Sequence, residues 1–366
     1  MKVIYVIAVT AIVLAVGLLV SFAIPVEMWR TGKQPLPPLV FAPASATPEV
    51  SRRIWIDTDA ACGRDRRTDP DDCFAIALLA QAPGVDVVGV STVFGNAPRE
   101  YVDRTTNELA ARLSAATGGS LPVYSGSAKS LEQGVSLAPA HEALQAALER
   151  GALTIVALGP LTNLAVALGN RPELRSQVAR LVTVMGRRPG HLFHPAEGAD
   201  AGFLFGHGPV FRDFNFVQDV RAATQIVAMN LPTSFIPYDA ARAIELTSRD
   251  LDRLASSGGA ITWVAQNSRD WLEYWQDDIG RRGFYPFDLL AASYVIHPHR
   301  FECASVRAWI GDDARFFPSF LWPTALLVGQ EGVETDRPLA TGSGLYCAKV
   351  DVGLKAQIMD KLSPSP

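Results

Sequence analysis

From residue 53 onward, short apolar runs of strand length alternate with longer segments of helical periodicity. RIWID precedes DDCFAIALLAQA, VDVVGVST precedes VDRTTNELAARLSAA, and LTIVAL precedes LTNLAVALG. Alternation at this spacing predicts an α/β fold, in which a parallel central sheet is flanked by helices. Ligands of such folds bind beyond the carboxyl ends of the strands, where strand order reverses. Polar residues immediately after strands are therefore the first candidates for a site.

The segment before this pattern is of another kind. MKVIYVIAVTAIVLAVGLLVSFAI holds about 22 uncharged residues from Val3 to Ile24, enough at helical rise to cross a ~30 Å hydrocarbon core. Residues 1–26 are expected to form an N-terminal hydrophobic helix acting as a membrane anchor, with a cleaved signal as the alternative that APASA at 42–46 supports. Lys2 precedes the run while Arg30 and Lys33 follow it, and the reading adopted has the N-terminus inside and the domain exported to the periplasm or the exterior. Residues 27–51 read as a proline-rich linker, because PLPPLVFAPASATP disfavours helix and sheet and suits an extended tether. The folded domain is expected over 52–362.

A net charge of −4 and the lack of a basic stripe interleaved with aromatics argue against nucleic acid as a partner. Cys62, Cys73, Cys303 and Cys347 match no zinc spacing and can form disulfides in an exported protein, with the pairing open. Association into a homo-oligomer is also left open.

Four carboxylates fall at one edge of the predicted sheet. Asp57 and Asp59 end the first strand, and Asp71 and Asp72 begin the helix CFAIALLAQA. Helix capping accounts for one of Asp71 and Asp72, because an aspartate there accepts backbone N–H bonds and suits the dipole. It leaves the other three without a reason. A hard divalent cation supplies one, since calcium takes roughly six to eight oxygen ligands from carboxylates, carbonyls and water.

These residues also carry a family likeness. IDTD…DPDDCFAIALL resembles the opening signature of the nucleoside hydrolases, and GVSTVFGN (89–96), TIVALGPLTNLAVAL (154–168), DFNFVQDVRAA (213–223) and FDLLAASYVIHP (287–298) match in order. The resemblance implies a mixed, mostly parallel sheet with a calcium ion at the floor of the pocket. It assigns Asp59, Asp72, Asp288 and the backbone carbonyl of Leu158 as calcium ligands, and makes Asp59 the base that takes a proton from the attacking water. Asp71 and Asn96 match positions that hold ribose hydroxyls. Asp213 and Asn215 match the far side of the sugar pocket, with Asp213 in place of the family's glutamate. His207 stands where asparagine is usual. Read singly, Asn96 and Asn215 are turn residues and Asp288 is a helix cap; it is their ordered co-occurrence that points to a site.

Two departures stand out. Phe287 occupies the position of the histidine that protonates the leaving base in many members, and phenylalanine cannot donate a proton. As in some purine-preferring relatives it can stack on the base, with Tyr285 or Trp275 beside it, or it is plain apolar wall; His191 and His194 are the alternative acids. Residues 60–70, AACGRDRRTDP, replace a much shorter link in the family. They can form a lid, contact a substituent, or displace Asp59 from Asp71. The expected activity is calcium-dependent hydrolysis of the N-glycosidic bond of a purine nucleoside or related N-riboside, giving base and ribose. The alternatives are a non-catalytic nucleoside- or sugar-binding protein and a haloacid-dehalogenase-like phosphotransferase. The latter rests on IWIDTD and WIGDDARF (309–316) but leaves DPDD and GPLTNLA unexplained.

Overall fold

The structure, a computed structural model, describes residues 36–44, 52–190, 213–313, 324–332 and 337–363. Its strands are β1 (Ala42–Pro43), β2 (Arg53–Thr58), β3 (Asp86–Thr92), β4 (Val123–Ser125), β5 (Leu153–Ala157), β6 (Val178–Thr183), β7 (Thr233–Phe235), β8 (Leu246–Thr247), β9 (Gly283–Phe284), β10 (Phe301–Gly311), β11 (Ala325–Gly329) and β12 (Ala340–Val350). The α-helices are α1 (Asp71–Gln81), α2 (Arg99–Thr117), α3 (Pro139–Glu149), α4 (Thr162–Asn170), α5 (Phe214–Gln218), α6 (Val220–Ala228), α7 (Tyr238–Ala241), α8 (Ser248–Ala255), α9 (Gly259–Gln266), α10 (Arg269–Tyr274), α11 (Phe287–Ile296) and α12 (Leu354–Leu362).

Ten strands form one sheet in the order β1-β10-β12-β7-β6-β5-β2-β3-β4, with β11 on β10. From β12 to β4 every neighbouring pair is parallel, whereas β1, β10 and β11 are antiparallel. The chain builds outward from β2 through β3 to β4, then returns to the other side of β2 with β5. The β2/β5 boundary is thus the point of strand-order reversal.

β2 is covered on both faces, so its apolar residues run without interruption. Their alternation still sorts them: Ile54 and Ile56 enter one core with α1 and α11, while Trp55 enters the other with α3, α4 and α6. The same alternation sends Asp57 and Thr58 to opposite layers. Asp57 follows Trp55 and accepts hydrogen bonds from Asn163 Nδ2 of α4 (2.7 Å) and the Ser91 hydroxyl. Thr58 follows Ile56 and donates to Asp72 at the start of α1. Helices α1 and α11 pack against each other and are buried nearly all round, as their uniformly apolar sequences require.

The 60–70 segment folds back onto α1. A Cys62–Cys73 disulfide ties it down, and Cys303–Cys347 joins β10 to β12. Arg66 meets Asp278 at 2.5 Å and Asp277 at 2.7 Å, fastening the segment to the turn after α10. Gly63 has φ +76°, and a Cβ there would lie 2.1 Å from Asn267 Oδ1, so only glycine fits.

Two expectations about the N-terminal region change. No helix among the described residues is long and apolar enough to cross a membrane, and the hydrophobic segment 1–26 lies outside them. Among the described residues the expected membrane-anchored, exported placement therefore has no spanning element, and neither it nor the membrane as partner is supported. Part of the expected tether also joins the sheet: Ala42 and Pro43 pair with Cys303 and Glu302, and Leu39 and Ala44 are buried. The edge of β10 offers backbone partners that the local sequence cannot reveal, and proline is tolerated on such an edge.

Replacing Cys62 and Cys73 together by serine should lower the unfolding free energy by roughly 3 kcal/mol, the loop-closure effect of a link this short. The check is a lower denaturant midpoint at unchanged slope. Equal midpoints would show that the bond does not hold the segment.

Candidate active site and metal centre

At the β2/β5 boundary the sheet edge meets the N-termini of α1 and α11. Both helices carry aspartate in their first turn, and the two starts face each other: Asp288 N donates to Asp71 Oδ2 at 2.8 Å. Asp71, Asp72 and Asp288 are buried, and one carboxylate oxygen from each lies within 4.8 Å of the others. Asp59 adjoins this trio through Asn96, whose backbone N–H donates to Asp59 Oδ2 at 2.8 Å. Its side-chain amide reaches Asp59 Oδ1 at 3.4 Å and Asp72 Oδ2 at 3.3 Å. Close approach makes Gly95 obligatory, since a Cβ there would lie 1.9 Å from Asp59 Oδ2.

Such crowding shows in the ionisation of the groups. Burial, reinforced by the Asp71 charge, pushes Asp72 up to about 7. Burial followed by the charge of Asp72 raises Asp59 well above the ordinary carboxylate range, and burial followed by Asp71, Asp72 and Asp59 does the same to Asp288. Asp71 is raised by burial, against which hydrogen bonds from Asp69 and Asp288 act. The positive ends of α1 and α11 offset part of the repulsion. A divalent cation would offset the rest: the donors are all hard oxygens, as calcium or magnesium requires. The carbonyl of Leu158, which directly follows β5 and accepts from Asn215 Nδ2 at 2.6 Å, is a further oxygen on this edge. The residues present fit such an ion.

A cavity of about 450 Å³ opens above the acidic floor. Asp69, Asp71, Asp288, Asn96 and Leu158 line it below; Asp213 and Asn215 line it as well, and Trp271, Phe287 and Arg67 add an aromatic and cationic part. Asp213 accepts the Gly186 N–H at 2.7 Å and caps α5 through the Phe216 N–H at 3.2 Å, and its burial pushes it up to about 6. Its short side chain is thus anchored between the loop after β6 and the start of α5. Asn215 Nδ2 also donates to Val184 O at 3.2 Å.

Of the residues singled out from sequence, Asp59, Asp71, Asp72, Asn96, Leu158, Asp213, Asn215, Phe287 and Asp288 gather around this one cavity and its floor. His207, His191 and His194 lie outside the described residues. Trp275 and Tyr285 are buried and meet edge to face at 5.0 Å, off the cavity wall; Trp271, one helical turn before Trp275, lines it instead. The long 60–70 segment does not separate the acids, since Asn96 still spans Asp59 and Asp72. Asp69 of that segment lines the floor and accepts the Asp71 N–H at 3.2 Å. Arg187, in the cavity wall, pairs with Asp313, so the late acidic stretch WIGDDARF has a structural partner here. Neither Arg67 nor Arg187 carries a local sequence signal, because what places them is the packing of distant segments.

Comparison with known proteins agrees with this geometry. The family profile described as inosine-uridine preferring nucleoside hydrolase matches residues 54–343. A Citrobacter koseri protein named pyrimidine-specific ribonucleoside hydrolase RihA is 26% identical over 269 residues, which is 66% of this chain and 80% of that one. A rice (Oryza sativa subsp. japonica) protein named probable uridine nucleosidase 2 is 24% identical over 286 residues, 69% of this chain and 77% of that one. Among solved structures, the plant nucleoside hydrolase PpNRh1 superposes with a TM-score of 0.67 at 18% identity, covering 86% of this chain and 99% of that one. The purine-preferring ribonucleoside hydrolase of Gardnerella vaginalis gives 0.62 at 18% identity, with 85% and 98% covered. These two share its fold. With the profile matched across the whole αβ core, the chain belongs to the inosine-uridine preferring nucleoside hydrolase family and is an N-glycosyl hydrolase.

Proposed function

We propose that this enzyme uses calcium to hydrolyse the N-glycosidic bond of a purine nucleoside, releasing base and ribose. The observation that carries the reading is the buried trio Asp71, Asp72 and Asp288 beneath a cavity of nucleoside size, with Asp59 beside it. When bound, calcium supplies Lewis acidity that makes water a stronger nucleophile at neutral pH. Asp59, Asp72, Asp288 and the Leu158 carbonyl would hold it, with Asp71 at the rim toward the sugar.

In this reading the ribose rests on the acidic floor. Asp71 and Asn96 bind its hydroxyls from one side, and Asn215 and Asp213 bound the other. Asp59, fixed by the Asn96 N–H, takes the proton of the water that attacks the anomeric carbon. The positive charge that develops on the sugar sits above several carboxylates, a preorganised field that strengthens as the bond breaks. Phe287 and Trp271 present flat apolar surface to the base, which supports a purine over a smaller ring. The absence of a proton donor at Phe287 favours, as a second reading, a protein that binds nucleosides without turnover.

Asp59→Ala should lower ribose release from inosine, guanosine and adenosine by about a thousandfold or more, the scale of a lost general base. Normal turnover would remove Asp59 from that role. Tight nucleoside binding by the unaltered protein, with no ribose released in calcium, would favour the second reading.

A pH signature follows from the raised carboxylates. The folded state holds protons that the unfolded state releases, so these carboxylates contribute stability to the cation-free protein that is fully present below the ordinary value of 3.8 and is lost as pH rises through about 7. Bound calcium replaces those protons, and its gain in melting temperature should be larger at about pH 8 than at about pH 5. An equal gain at both would exclude this carboxylate cluster as the binding site.

A further inference from the structure

Two adjacent arginines of the 60–70 segment have opposite surroundings. Arg66 is neutralised by Asp277 and Asp278. Arg67 is exposed, lines the cavity, and its guanidinium has no carboxylate or hydrogen-bond acceptor among the described residues. Its guanidinium lies over the Tyr274 ring, 5.4 Å from the centroid. From there the rings lead to Trp271 in the cavity wall, 5.4 Å from Tyr274, and behind the wall to Trp275 at 6.1 Å from Trp271 and Tyr285 at 5.0 Å from Trp275, two residues before Phe287. Arg67 therefore belongs to the aromatic side of the cavity, the side left for the base once the sugar rests on the aspartates.

That side needs a donor. The departing base accumulates negative charge, and neither Phe287 nor any aliphatic group of the wall can stabilise it. Arginine stays charged at working pH and offers a rigid planar fork of N–H groups. Two adjacent acceptors on one edge match that fork, as O6 and N7 of a 6-oxopurine do. Adenine puts an amino group beside N7, setting donor against donor.

Building on the function proposed above, we infer that Arg67 is the leaving-group electrophile and the residue that selects 6-oxopurine nucleosides over 6-aminopurine ones. The bond between C1′ and N9 breaks with its electron pair passing to the purine, whose anion is held at O6 and N7 by the Arg67 fork. The water oxygen bonds to C1′ and its proton passes to Asp59. Solvent then protonates the purine anion and takes the proton back from Asp59.

The test compares the unaltered enzyme with Arg67→Ala and Arg67→Lys. Ribose release from inosine, guanosine and adenosine is measured in calcium, and hypoxanthine and adenine binding by calorimetry. Arg67→Ala should reduce the inosine-to-adenosine ratio of kcat/KM by about a hundredfold, mostly in kcat, as for loss of one preorganised donor. Arg67→Lys should recover only part, because an ammonium is a point charge without the fork. Hypoxanthine affinity should fall in Arg67→Ala while adenine affinity holds. A ratio within about threefold of the unaltered enzyme's, well short of a lost donor, or an equal loss on both substrates, would overturn the inference while leaving the hydrolase reading intact. Faster cleavage of inosine 5′-monophosphate than of inosine, abolished in Arg67→Ala, would also overturn it by placing Arg67 at a phosphate. If the unaltered enzyme releases no ribose from any nucleoside, the hydrolase reading fails; unchanged hypoxanthine affinity in Arg67→Ala would then overturn the base contact as well.

Discussion

Mutual repulsion among buried carboxylates is the constraint around which this molecule is arranged. Two unit charges about 4 Å apart repel by ~4 kcal/mol at the effective dielectric of a protein surface, and more when water is excluded. Asp71, Asp72 and Asp288 bring carboxylate oxygens within 4.8 Å of one another, with Asp59 close by. Several neighbours supply positive potential or a hydrogen: the starts of α1 and α11, the Thr58 hydroxyl, and the amides of Asn96 and Asp288. These donors lessen the repulsion without removing it, which leaves the site matched to a hard cation. The fold tolerates the strain because α1 and α11 are buried almost completely in apolar surroundings, so the helices that carry the acids are held from behind.

Topology explains why the acids meet at all. β2 and β5 lie side by side although a long stretch of chain separates them, and the reversal of strand order leaves a crevice above their carboxyl ends. Residues just past β2, β3, β5 and β6 all reach that crevice. A displacement of two residues, from within β2 to just past its end, changes the outcome entirely. Asp57, within the strand, is turned into the opposite layer and used by Asn163 and Ser91. Asp59, past the strand's end, reaches Asn96 and the floor.

Much of this was legible in the chain. The alternation around β2, β3 and β5 and the apolar run of α1 announce a parallel sheet with covered faces, and acids at a strand end and a helix start announce a charged floor. What stayed hidden has one physical character: it depends on contacts between segments far apart in the chain. The antiparallel flank of β10, β11 and β12, the short β1 strand within a proline-rich stretch, and both disulfide pairings are of this kind. Trp271 rather than Trp275 lines the cavity, because only the helix's orientation decides which tryptophan faces it. Arg187 is similar, its position set by Asp313 on the far side of the sheet edge.

The 60–70 segment shows how a long insertion can leave an acidic site intact. Loop length by itself adds little entropic cost, since each doubling costs only about 0.6 kcal/mol. What matters is whether the ends are held, and here they are: Asp59 continues directly from β2, while Cys73, bonded to Cys62, lies in the first turn of α1. Arg66 then fixes the middle of the segment to the turn beyond α10. The inserted chain is thereby spent on the cavity wall rather than on separating the acids. It brings Asp69 to the floor and Arg67 to the aromatic side. The wall that lacks a proton donor at Phe287 is the one to which this segment adds a cation, so the two departures from the family pattern meet at one place and complement each other chemically.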